Sequence, residues 1–174
     1  DVYAFEPSIF NLELLARNIH LNNCANKITI VPLPLCEKLS FNTLKMTSEN
    51  WGGALSTFGE DFGHDGKAIK KVFEYPTIGL SMTEAAELFA IPKPDFIKMD
   101  VDGIEHLILK GGAQVLDHVR GVLVEINDAF TEQAKNAETI MLGAGFRMVA
   151  KKHADCFDDV HSAASTTFNQ IWTK

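Results

Sequence analysis

The chain has 174 residues, 46% of them apolar and 22% charged, and 23 acidic against 16 basic residues give a net charge of −7. That length predicts one domain with a full hydrophobic core, and the acid excess argues against a general affinity for nucleic acid or an anionic membrane, which need clustered Lys and Arg. No apolar run of about 18 residues suits a membrane span, no basic-then-apolar leader is visible, and the three cysteines, Cys24, Cys36 and Cys156, form no CxxC pair, which predicts reduced thiols in a cytoplasmic protein.

Taken in order, residues 2–5 are β-prone and Glu6-Pro7 closes the run. Ser8 is placed to cap a helix whose Leu12, Leu15, Ala16 and Ile19 share one face, ending near Asn22-Asn23. Residues 27–33 are β-branched and apolar, as a buried parallel strand would be. Residues 40–68 contain Gly52, Gly53, Gly59, Gly63 and Gly66 with little periodicity, which predicts a loop or excursion. Residues 72–78 form another β-like run. Ser81-Met82-Thr83-Glu84 then has capping-box form ahead of Ala85, Leu88 and Phe89, with Pro92 and Pro94 as stops.

Residues 95–100 read as the next strand, followed by a helix with Ile104, Leu107 and Ile108 that breaks at Gly111-Gly112. Residues 121–126 form a buried-type strand, and Thr131 opens a helix through Ala134, Ala137, Ile140 and Met141 to Gly143. Residues 146–150 and 167–172 close the chain as an antiparallel pair. Strands alternating with helices of this length predict an α/β sheet with a parallel centre.

Ligands bind open α/β sheets at the carboxyl ends of the strands. Here the first strand ends in Glu6, the 95–100 strand in Asp100 with Asp102 and Glu105 beyond, and the 121–126 strand carries Glu125 ahead of Asn127-Asp128. A carboxylate at the end of such a strand can accept hydrogen bonds from a ribose diol. Glu6 equally suits the start of a helix, where the macrodipole favours an acid.

Phe5-Glu6-Pro7, the block DFIKMDVDGIEHLILKGG from Asp95 to Gly112, and Leu123-Val124-Glu125 resemble the FkbM family of methyltransferases, nearly end to end from Val2 to Trp172. The resemblance implies a Rossmann-like class I methyltransferase fold, S-adenosylmethionine as cofactor, and transfer to a hydroxyl oxygen of a small molecule or a sugar. It reads residues 1–174 as a single methyltransferase domain, incomplete at its N-terminus. The family's first strand and glycine-rich loop have no counterpart, since only five residues precede Glu6. The family usually has Glu where this chain has Asp102. Carried over residue by residue, Glu6 with Pro7 would hold the ribose, Leu33, Pro34 and Leu35 would lie near the adenine, and Asp100 would face the methionine end or the acceptor. Glu6 and Asp100 are then expected at one sheet edge, either side of an empty strand position.

An alcohol acceptor benefits from a base as its proton leaves, and Asp100, Glu105 and His106 are the candidates. Against these roles, His106 fits the polar face of an amphipathic helix, Glu105 fits pairing within its helix, and Asp102-Gly103 fits simple turn chemistry. Asp100, Asp102 and Glu125 could hold a hard cation, but Lys98 and Lys110 flank them and no metal is expected. His153, Asp155, Cys156, Asp158, Asp159 and His161 match no common zinc spacing and predict an exposed connection. The segment 51–66 suits a lid over the acceptor or a plain surface excursion. A nicotinamide-dependent Rossmann oxidoreductase could use Glu6 as well, but Tyr3 and Tyr75 form no Tyr-x-x-x-Lys arrangement. A non-catalytic interaction module on the same fold is the third reading.

Overall fold

The computed structural model describes residues 1–153 and 166–174. It begins with β1 (Val2–Phe5), α1 (Ile9–Leu21) and β2 (Ile28–Val31), then β3 (Ser40–Met46), β4 (Ser56–Phe58) and β5 (Phe73–Gly79). It continues with α2 (Met82–Leu88), β6 (Phe96–Met99), α3 (Glu105–Lys110), α4 (Ala113–Leu116), β7 (Gly121–Asn127), α5 (Thr131–Gly143), β8 (Arg147–Lys152) and β9 (Thr167–Thr173). The local signals explain the starts. Ser8 adopts an extended conformation and its side chain accepts the Asn11 N–H, capping α1. Ser81 and Glu84 form a reciprocal capping box on α2.

The strands form three sheets. β1 and β2 pair in parallel, from Val2 opposite Ile28 to Phe5 opposite Val31. β3 lies between β4 and β5, antiparallel to both. The largest sheet runs β6-β7-β9-β8, parallel between β6 and β7 and antiparallel thereafter. The α/β character and the antiparallel closing pair agree with the sequence pattern. Among the described residues, however, parallel strand pairing is confined to β1/β2 and β6/β7, with one isolated parallel bridge between Leu35 and Leu80, so the sheets are small and mixed. Among the described residues β1 and β6 each have one neighbour.

The excursion predicted over residues 40–68 is corrected in part, because it contains β3 and β4. In β3 only Leu44 and Met46 are buried, with Phe41 and Asn42 exposed. A strand with one short apolar edge of this kind offers little period-2 signal. The core lies under the large sheet, where Leu109, Leu116, Val119, Val124 and Met141 are fully buried and Trp172 packs beside them. Trp172 Nε1 donates to Gln170 Oε1 at 3.0 Å, which satisfies the one polar atom of that side chain.

Candidate functional site

Glu6 stands at the carboxyl end of β1, where its Oε1 accepts the Ser8 N–H at 2.7 Å. Half-burial pushes its carboxyl above the usual range, the Ser8 and Asn11 hydrogen bonds oppose this, and the nearby Asp102 charge adds to it. Asn11, in the first turn of α1, also clasps the glycine-rich excursion. Its Oδ1 accepts the Gly52 N–H at 3.0 Å and its Nδ2 donates to the Gly53 carbonyl at 3.1 Å. Beside Glu6, the Pro7 carbonyl accepts the Tyr75 hydroxyl, which fastens β5 to this turn. Tyr75 is thereby engaged in packing.

After β6, the two aspartates separate in character. Asp100 is exposed and paired with Lys98 of β6. Asp102 turns inward, and its Oδ2 accepts the Ser56 N–H at 2.8 Å, so this residue fastens the excursion to the strand end. Burial raises the Asp102 carboxyl, against the Ser56 and Leu55 N–H groups that stabilise its charge. This corrects the reading of Asp102 as a turn residue alone. Gly103 has φ +112°, and a Cβ there would stand 2.6 Å from the Gly63 carbonyl oxygen. The glycine is what lets the two loops meet.

Glu125, half-buried on β7, is raised by burial first and then by Asp100 and Asp102. Asn127 ends that strand and donates from Nδ2 to the His64 carbonyl at 3.1 Å, a second mooring of the excursion. Segment 51–66 is therefore bound to α1, to the turn after β6 and to the end of β7, rather than lying as a plain surface excursion.

The other candidates lie elsewhere. Glu105 is 1% exposed, and its Oε2 accepts both the Gly103 N–H at 3.1 Å and the Gln133 amide, which leaves that oxygen no place for a substrate. His106 is 4% exposed on α3, with its ring edge-on to Phe130. It lines a groove of about 350 Å³ between α3 and α5, with Lys110, Glu132 and Asn136, and burial pushes its imidazole toward the neutral form. Glu105 and His106 are thus both drawn inward, because the helix that follows Gly103 turns its first residues into the interior. Pro34 is buried and its carbonyl accepts the Leu80 N–H at 3.2 Å, while Leu33 and Leu35 remain half-buried after β2.

Asn11, Ser56, His64, Asn127 and Gln133 were not singled out from the sequence. Gln133 did leave a signal, since it shares the buried i, i+4, i+8 stripe of α5 with Ala137 and Met141. Among the described residues no three of His, Cys, Asp and Glu converge as a metal-ligand set, and no helix is long and apolar enough to cross a membrane. Of the cluster at 153–161, all but His153 lies outside the described residues.

The family model of the methyltransferase FkbM domain matches residues 1–148. No curated protein matches the chain. Among solved structures, the chain is similar to the methyltransferase FkbM from Methylobacillus flagellatus KT, at 14% identity and a TM-score of 0.61, covering 99% of this chain and 36% of that one. The chain thus spans about a third of the length of that structure, and the likeness supports the α/β fold alone. With the family model extending over most of the sequence, from Glu6 through the carboxylates after β6 and on past β7, the chain belongs to the FkbM methyltransferase family.

Proposed function

We propose that the strand-end cleft binds S-adenosylmethionine and that the protein methylates a hydroxyl oxygen of a small molecule or a sugar. The observation that carries this reading is Glu6, a half-buried carboxylate at the end of β1 within electrostatic reach of Asp102. Its Oε1 takes one backbone N–H, and a carboxylate has about four lone-pair sites, so acceptor capacity is left for a ribose diol. The residues present fit the cofactor in this respect. Glu6, Asp102 and Glu125 are all raised by burial and by one another or by Asp100, a concentration of negative charge that suits a ligand bearing a sulfonium and an ammonium group.

When bound, S-adenosylmethionine supplies an activated methyl group. Glu6 holds hydroxyl donors at the β1 end, and the half-buried Leu33 and Leu35 offer an apolar wall to a flat ring. Asp100, exposed and close to the other strand-end acids, is the carboxylate able to meet an acceptor hydroxyl and take its proton. Alignment of the acceptor supplies much of the rate.

Calorimetry with S-adenosylhomocysteine on the native-length protein tests the reading. Binding is expected, and Glu6→Ala should weaken it by about 1–3 kcal/mol, the cost of hydroxyls left without their acceptor. Equal affinity in the variant would remove Glu6 from the site.

A further inference from the structure

Five hydrogen bonds form a closed circuit beneath the cleft, and Glu105 sits at its middle. The Ser56 N–H donates to Asp102 at 2.8 Å. Gly103, the next residue along, donates its N–H to Glu105 Oε2 at 3.1 Å. The same oxygen accepts the Gln133 side-chain amide. Gln133 Oε1 accepts the Asn127 N–H at 2.9 Å, and Asn127 Nδ2 donates to the His64 carbonyl at 3.1 Å. The circuit begins and ends on the same excursion, at Ser56 and at His64.

Its three central side chains are almost wholly removed from water, with Glu105 and Gln133 1% exposed and Asn127 4%. Buried polar groups of this kind keep one geometry because any other leaves a donor or acceptor unpaired. Glu105 is the junction: its carboxyl links the loop after β6 to α5 by hydrogen bonds, and Gln133 carries the connection on to the end of β7.

We infer that Glu105 is a positioning residue, whose buried carboxyl, through Gly103 and through Gln133 and Asn127, fixes where the Asp102 turn and the excursion stand over the strand ends. The inference rests on the proposed methyl-transfer cleft only in giving that arrangement a purpose. Burial pushes the Glu105 carboxyl well above the usual range, toward the protonated form, and its place in the circuit is set by the donors it accepts. A glutamine can then replace it, since an amide oxygen can accept both donors.

Residue-resolved amide exchange on the native-length protein tests this. The readout is Ser56, whose N–H bonds Asp102 and does not touch Glu105. In Glu105→Ala the Ser56 amide should exchange about tenfold faster or more, and in Glu105→Gln it should stay within about threefold of wild type. Gln133→Met, on a helix stripe that is otherwise apolar, breaks the circuit at a second point and should also speed exchange at Ser56, which keeps the test open if the alanine variant does not fold. A Ser56 amide indifferent to Glu105→Ala or to Gln133→Met overturns the inference, because Glu105 would then serve only its own helix end. Equal acceleration in Glu105→Gln and Glu105→Ala overturns it too, since neutral hydrogen bonding would not be what the side chain supplies. None of these readouts involves the cofactor, so failure of S-adenosylhomocysteine to bind is a separate result that bears on the proposed function alone.

Discussion

The two parallel strand pairs, β1/β2 and β6/β7, each end in a carboxylate-bearing turn, yet they rest on unequal foundations. β7 is bonded on both sides, and Val122, Val124 and Ile126 are 1% exposed or less. In β1/β2 only Val31 is buried, and Val2 is 53% exposed. The better-buried strand, β7, carries Asn127 and pairs with β6, whose turn bears Asp102, while the less buried pair carries Glu6. Elements that close on ligands come from the low-stability end of a structure, and the β1/β2 pair with Glu6 fits that pattern.

The largest effect that would break this comparison comes from the core. Trp172→Ala removes a buried indole from β9 and should cost about 3–5 kcal/mol in urea unfolding, whereas Ile30→Ala in the half-exposed β2 should cost about 1–2 kcal/mol. A larger loss at Ile30 would place the foundation in the wrong half.

Next come the two aspartates after β6. Asp102→Ala leaves the Ser56 N–H without its acceptor and should cost about 1–3 kcal/mol. Asp100→Ala removes an exposed ion pair with Lys98, worth about 0–1 kcal/mol. Thermal melts of both variants would show whether the moored aspartate matters more to the fold than the exposed one; equal losses would mean that Asp102 is not a fastening.

The last effect is a slope. The Glu105 carboxyl is raised well above 4.5 in the folded protein, so between that value and its folded pKa the native state binds more protons than the unfolded chain. Stability is then full below the unfolded value and is lost as pH rises toward the folded one. Glu105→Gln should flatten this decline by up to ~1.4 kcal/mol per pH unit, read from urea midpoints at about pH 5 and about pH 7. Glu6, Asp102 and Glu125 are raised as well and leave a residual slope of the same sign. An unchanged slope in the variant would show Glu105 ionised in both states.

Signals that act over one turn of chain were legible from the residues. The Ser8 cap, the box at Ser81 and Glu84, and the apolar run that opens β7 all formed as their chemistry requires. The family block from Asp95 to Gly112 identified the protein's class. What could not be read was set by distant partners. Asp102-Gly103 has local turn chemistry, and nothing nearby in sequence announces a bond to Ser56, 46 residues upstream. Glu105 follows a strand end and so resembles a site acid, but the helix that starts there directs it at Gln133, 28 residues away. The helical spacing that places Gln133, Ala137 and Met141 on one buried stripe shows where such a partner was waiting.

The moorings of the excursion share one property. Asn11 grips the N–H of Gly52 and the carbonyl of Gly53, Asp102 grips the N–H of Ser56, and Asn127 grips the carbonyl of His64. Each of these four grips is on the main chain, and each gripping side chain belongs to the framework; Lys45 adds a hold of another kind, on the Asp61 carboxylate. At position 56 any residue but proline presents the same N–H, and at position 64 any residue presents the same carbonyl. The side chains of Ser56 and His64 can thus be exchanged while these two holds stay where they are, whereas Phe58, buried in the core, and Phe62, packed on Phe130, belong to the frame itself.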